Sequence, residues 1–127
     1  MMYERVLVVE DNERNRKLVL AVLEVAGMTV EAVRSGAEAL ERCAAGDLDV
    51  VLLDIQLSDL DGVEVLHRLR EGPDTATLPV VALTAFAMEG DEARFLAEGF
   101  DGYLTKPIDV RRFADQVREV LSGRVPS

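Results

Sequence analysis

Five times along this chain, a short run rich in Val, Leu and Ile is followed by an amphipathic stretch with helical spacing. That alternation leaves few folds open. Such alternation argues a parallel sheet with helices on both faces. The strand-like runs are "RVLVVE", "MTVEAV", "LDVVLLDI", "LPVVALTA" and a short one within "FDGYLTK". The third is the most apolar and predicts a strand buried on both faces. The helical stretches cover residues 12–26, 36–45, 62–70, 88–98 and 108–121, with Gly27, Gly46 and Gly99 as stops. In the first helix Asn15, Leu18, Val22 and Val25 recur at helical spacing. The final "SGRVPS" reads as a frayed tail.

A chain of 127 residues makes about one domain with a core of its own. No repeat, low-complexity segment or linker interrupts the pattern. The expectation is a single domain over 1–127, with its core at about 4–122 and a tail at 123–127. With 24 acids against 14 bases, net charge is −10. Direct binding to nucleic acid or to an anionic membrane surface is disfavoured, since both need basic surface. Cys43 is alone, so no internal disulfide forms and no Cys/His metal cluster exists. It reads as a small helix residue in a reducing compartment. The opening "MMYERVLVVEDN" is no signal peptide, and no segment reaches membrane-spanning length. The expected location is the cytoplasm.

In open parallel sheets ligands bind beyond the carboxyl ends of the strands, where strand order reverses. Glu10 and Asp11 follow the first strand, Asp54 the third, Thr84 the fourth and Lys106 the fifth. Three carboxylates, one hydroxyl and one ammonium would therefore meet at one edge. Adjacent carboxylates at the end of a buried strand repel each other and resist desolvation, which calls for a cation. Taken singly, Asp54 could be a helix cap, Thr84 a β-branched strand residue and Lys106 a surface residue. The set carries the weight.

At these positions the chain resembles the receiver domain of two-component response regulators. The likeness runs over roughly residues 4–122, through "VVEDN", "VVLLDIQL", "GVEVLHRLR", "VVALTAFA" and "YLTKPI", in that family's order and spacing. The openings "VEDNERN" and "LTAFAMEGD" look most like receivers of hybrid sensor kinases and of stand-alone cell-division regulators. The resemblance implies a doubly wound α/β fold, flavodoxin-like, with five parallel strands in order 2-1-3-4-5 and five helices. It implies that Asp54 is the phosphoacceptor and that Mg²⁺ is bound by Glu10, Asp11, Asp54 and the Gln56 backbone carbonyl. Thr84 and Lys106 fall at the phosphate-sensing positions and Tyr103 at the aromatic switch. The Lys106–Pro107 bond is usually cis in this family. A histidine kinase or histidine phosphotransfer protein would be the donor. Output would pass to another protein through the surface around the fourth helix, fifth strand and fifth helix. Such a chain is a regulator, not an enzyme acting on external substrates, and is a monomer or weak dimer. Two departures stand out. Ser58 occupies a position where the family often has proline, and the acidic pair begins with Glu10 where two aspartates are common.

Competing readings remain on the same residues. Phosphatases with an aspartate nucleophile place a second Asp two residues on, where this chain has Gln56 and so lacks the proton donor. A flavodoxin-like FMN carrier needs hydroxyls and amides in the first loop, which "VEDNERN" replaces with acids. A binding module that is never phosphorylated needs none of these groups, yet all are present. Tyr103 reads either as the switch or as half-buried edge packing. Phe86 either shapes access to the phosphate or packs. His67 reads as a residue of a solvated helix face. Asn15 and Leu18 read as donor contacts, with Leu18 equally placed for the core, and Phe95 and Phe113 as core or interface apolars. With the sequence ending soon after the fifth helix, the expectation is either output through another protein or a receiver excised from a larger chain.

Overall fold

A computed structural model describes residues 4–85 and 88–123 of the chain. Five parallel strands form one sheet: β1 (Arg5–Val9), β2 (Thr29–Val33), β3 (Val50–Asp54), β4 (Val80–Thr84) and β5 (Gly102–Thr105). Their spatial order is β2-β1-β3-β4-β5. Five helices alternate with them: α1 (Glu13–Val25), α2 (Gly36–Ala44), α3 (Gly62–Glu71), α4 (Asp91–Glu98) and α5 (Phe113–Leu121). The chain runs outward from β1 to β2, then returns to place β3 on the other flank of β1. The crevice at that reversal lies beyond the ends of β1 and β3.

Strand periodicity explains why the central strands read as unbroken apolar runs. Alternate side chains face opposite layers. Leu7, Val9, Val51, Leu53, Val80 and Ala82 pack with residues of α2, α3 and α4. Val6, Val8, Val50, Leu52, Val81 and Leu83 pack with residues of α1 and α5. Every residue of β3 is buried, as the "LDVVLLDI" run predicted. Phe95 belongs to the first layer and Phe113 to the second, so both are core residues. Cys43 is buried in the first layer too, where desolvation pushes its thiol up to about 11 and leaves it unreactive at neutral pH.

Local chemistry sets most helix starts. Asn12, Ser35 and Asp61 occupy the N-cap positions of α1, α2 and α3. Their side chains accept from the amides of Asn15 at 2.9 Å, Glu38 at 3.1 Å and Val63 at 2.8 Å.

Three expectations need correction. The fourth helix begins at Asp91, not at residue 88, because Gly90 (φ 89°) interrupts the helical backbone and Asp91 caps the preceding turn through the Met88 amide at 3.0 Å. The fifth begins at Phe113, not at 108. There the Asp109 side chain accepts from Arg111 at 3.0 Å, and its carbonyl accepts from Arg112 and Phe113 at 3.0 and 2.9 Å. Residues 109–112 are spent in that turn. Finally, α1 buries Val19 and Leu23, whereas Leu18 and Val25 are 44% and 89% exposed. Two neighbouring stripes of one helix both carry apolar residues, and the one aligned with the sheet is buried. Among the described residues, no helix is long and apolar enough to cross a membrane.

Candidate functional site

The carboxyl ends of β1, β3 and β5 deliver the predicted groups to one place. Carboxylate oxygens of Glu10, Asp11 and Asp54 all lie within 4.8 Å of one another. Glu10 and Asp54 are buried and Asp11 is exposed. The Lys106 ammonium, arriving after β5, donates to Glu10 Oε1 and to Asp54 Oδ2, the latter at 2.9 Å. Sequence separations of 96 and 52 residues are closed by these two bonds.

Each group is held by backbone chemistry close to its strand end. The Glu10 amide donates to the Val33 carbonyl at 3.1 Å, extending the β1–β2 ladder. Its Oε2 accepts from the Asn12 amide at 3.2 Å. Asp54 Oδ1 accepts from the Gln56 amide at 3.0 Å, which leaves Oδ2 for Lys106. The Lys106 amide donates to the Thr84 carbonyl at 2.8 Å, so the end of β4 fixes the start of the β5–α5 loop. Thr84 itself is buried and stands one residue beyond Leu83, the register partner of Asp54. The Lys106–Pro107 peptide bond is cis.

Electrostatics follow from burial. Desolvation pushes the Glu10 carboxyl above its ordinary value; Lys106 opposes the rise and the nearby Asp54 adds to it. Burial alone would lower Lys106, but its hydrogen bonds to Glu10 and Asp54 outweigh that and keep it above its usual value, firmly protonated. Formally, three carboxylates against one ammonium leave the cluster at minus two. Such a donor set, all hard oxygen with a two-charge deficit, fits a divalent cation. Glu10, Asp11 and Asp54 could hold one.

Tyr103 lies elsewhere. It pairs in register with Ala82, two residues before Thr84, and packs into the layer of α2, α3 and α4. Its ring stacks on Phe95 with centroids 5.7 Å apart and a 22° tilt. Its hydroxyl is buried and finds no hydrogen-bond partner among the described residues. Phe86 lies outside the described residues. His67 is exposed on α3, 2.9 Å from Glu98. Asn15, Leu18 and Val19 form one wall of a groove of about 320 Å³, and Lys106, Pro107 and Ile108 form the other.

Two residues near the site escaped the sequence reading. A guanidinium nitrogen of Arg16 donates to the Glu10 carbonyl at 3.1 Å, bracing the acidic turn from the first turn of α1. A base six residues after Glu10 is the signal that could have found it. Asp59 accepts from the Gly36 and Ala37 amides across 23 and 22 residues of sequence, and no local pattern marks it.

Known proteins share both the sequence pattern and the fold. The family model described as the response regulator receiver domain matches residues 6–118. The polar-differentiation response regulator DivK of Brucella ovis is 41% identical over 120 residues, covering 94% of this chain and 98% of its own length. Among solved structures, the chemotaxis protein CheY4 of Vibrio cholerae superimposes with a TM-score of 0.86 at 26% identity, over 94% of this chain and 99% of that one. The receiver domain of a sensor histidine kinase of Pseudomonas aeruginosa PAO1, solved with magnesium coordinated in its active-site cleft, gives 0.85 at 29% identity over 95% and 99%.

Proposed function

The chain belongs to the response regulator receiver domain family, and we propose that it works by accepting a phosphoryl group on Asp54 from a phosphohistidine donor. The observation that carries this reading is the meeting of Asp54 with Glu10, Asp11 and the Lys106 ammonium in one crevice. A carboxylate is a competent nucleophile for aspartyl phosphate formation. An oxygen of Asp54 bonds to phosphorus, the phosphorus–nitrogen bond of the donor breaks, and the imidazole leaves with that electron pair. Phosphoryl transfer asks mainly for in-line placement and positive charge near the equatorial oxygens. Lys106 supplies one such charge and Thr84 a hydroxyl at the end of the neighbouring strand. Held by Glu10, Asp11, Asp54 and the Gln56 carbonyl, Mg²⁺ would neutralise the remaining charge of the site and of the phosphoryl oxygens. In its absence the carboxylates repel, by about 4 kcal/mol for a pair 4 Å apart at an effective dielectric near 20.

We read residues 4–122 as one receiver unit whose location is cytoplasmic. The groove between α1 and the β5–α5 loop, with Lys106 at its edge, is the docking place for a histidine kinase or phosphotransfer protein. Phosphorylation adds about one negative charge and new acceptor oxygens. Thr84 and Lys106 respond to them, and Tyr103, two register positions from Thr84, shifts the balance of the α4–β5–α5 surface that a downstream protein reads. Gln56, two residues after Asp54, offers no carboxyl to protonate a leaving group, which argues against turnover of phosphate esters.

Incubation with acetyl phosphate and Mg²⁺, followed by intact-mass measurement, tests the reading. Wild type gains one phosphoryl group, Asp54→Ala gains none, and Lys106→Ala gains it more slowly. Labelling that persists in Asp54→Ala, or that ignores removal of Mg²⁺ by EDTA, refutes it.

A further inference from the structure

The loop between β3 and α3 carries Gln56, whose amide bonds one oxygen of Asp54. It contains no proline between Ile55 and Asp61, so contacts must hold its backbone. At its base the loop is closed tightly. Gln56 bridges to Asp61, and the Gly62 amide donates to the Ile55 carbonyl at 2.9 Å. A Cβ at Gly62 would fall 2.7 Å from Ile55 Cα and 2.8 Å from the Asp54 carbonyl, so the backbones touch there.

The tip is tied to a different element. The first amides of helix α2 have no carbonyl one turn back to bond. The Ser35 hydroxyl accepts from the Glu38 amide, and the Ser35 carbonyl takes the first regular helical bond, from Ala39. Gly36 and Ala37 donate to Asp59 Oδ1 and Oδ2 at 2.9 and 3.0 Å. Gly36 permits this approach: a Cβ there would stand 3.0 Å from Leu60 Cβ, the residue next to Asp59. The contact places a carboxylate on the positive end of a helix, where charge-assisted bonds are favoured.

We propose that Asp59 is a positioning residue for the phosphoacceptor site, tethering the tip of the β3–α3 loop to the N-terminus of α2 and thereby fixing Gln56 against Asp54. The proposal rests on the reading of Asp54 given above. Asp59 touches no reacting atom. Without it the loop keeps its base contacts and the packing of Leu57 and Leu60 on the core, but loses its polar tie to the α2 N-terminus. The Gln56 amide then loses its fixed aim at Asp54 Oδ1, and the Gln56 carbonyl is no longer fixed where it would help hold a cation. Supporting contacts of this kind change metal affinity or activity by about tenfold or more when removed.

The test compares Asp59→Ala and Asp59→Asn with Ser35→Ala. The serine variant weakens the same helix through its own cap and leaves the loop contact in place. Four measurements are made on the full chain: thermal stability, amide hydrogen exchange at Gln56 without metal, Mg²⁺ affinity by NMR titration, and the rate of phosphorylation by acetyl phosphate. Asp59→Ala should speed exchange at Gln56 and lower both Mg²⁺ affinity and rate about tenfold. Asp59→Asn, keeping one acceptor oxygen, should recover part of each. Ser35→Ala should lower the melting temperature and leave the other three unchanged. The proposal is overturned if Asp59→Ala leaves Gln56 exchange at the wild-type value, or if Ser35→Ala reproduces its losses. Wild type that takes no phosphoryl group would sink the reading of Asp54 instead, while exchange at Gln56 would still decide the tether.

Discussion

Replacing Tyr103 by phenylalanine should stabilise the protein. The Tyr103 ring is packed against Phe95, itself in edge contact with Phe100 at 5.8 Å, and that packing survives the change. The hydroxyl is buried with no partner among the described residues. A buried polar group without a hydrogen bond costs about 1–3 kcal/mol. Removing it leaves a void of roughly 15 Å³, about one water-sized probe, which at about 24 cal/mol per Å³ returns near 0.4 kcal/mol. The net expectation is a gain of about 1–2 kcal/mol, a rise in melting temperature of about 3–8 °C for a chain of this size. Urea unfolding followed by circular dichroism should show a higher midpoint with an unchanged slope. Function follows from the same imbalance. An outward swing of Tyr103 would hydrate the hydroxyl, so the wild-type residue is held inward less firmly than a phenylalanine would be. On the switch role proposed for Tyr103, the variant should favour the unphosphorylated arrangement of the α4–β5–α5 surface and bind a downstream partner less readily after phosphorylation. A loss of stability on substitution would refute the reasoning, because it would mean that the hydroxyl has a partner. Consistent with its burial, which is the largest cause, and with Asp91 and Glu92 nearby, the phenol is pushed above its ordinary value; its ionisation in an absorbance titration should lag behind free tyrosine.

Two further outcomes test other parts of the structure. Leu23→Ala should cost about 2–5 kcal/mol, since that side chain is fully buried, while Val25→Ala, at 89% exposure, should stay within about 0.5 kcal/mol; equal losses in chemical denaturation would restore the other face of α1 to the core. Hydrogen bonds from Arg118 hold the Glu4 carboxyl below its ordinary 4.5. A carboxyl lowered by folding contributes stability above its unfolded value and loses it as pH falls through the lower folded value. The gap in melting temperature between wild type and Glu4→Gln should therefore narrow as pH drops from 6 toward 3; a constant gap would show that the Arg118 contact does not depend on charge.

Much of this molecule is written locally. Strand and helix order follows from periods of 2.0 and 3.6 residues, which a chain carries whatever surrounds it. Burial on both faces of β3 could be read from "LDVVLLDI" because a strand covered on both sides has no polar period to hide. Glu10, Asp11, Asp54 and Lys106 were legible as a set because parallel topology sends every strand end to one edge, so position relative to a strand is enough to place a side chain. Tertiary structure decided what involves competition or distance. Leu18 and Val25 offered α1 as good an apolar stripe as Val19 and Leu23 did, and only the angle of the helix on the sheet chose between them. Residues 88–89 and 108–112 carry no helix-breaking residue, yet Gly90 and the Asp109 turn hold that backbone another way. Asp59 meets Gly36 across 23 residues of sequence, and the Tyr103 hydroxyl finds no partner among the described residues where the neighbouring layers close. Periodicity reports the preference of one segment at a time; the choice among equally good faces and caps is made by the energy of packing several segments together, which no single segment contains.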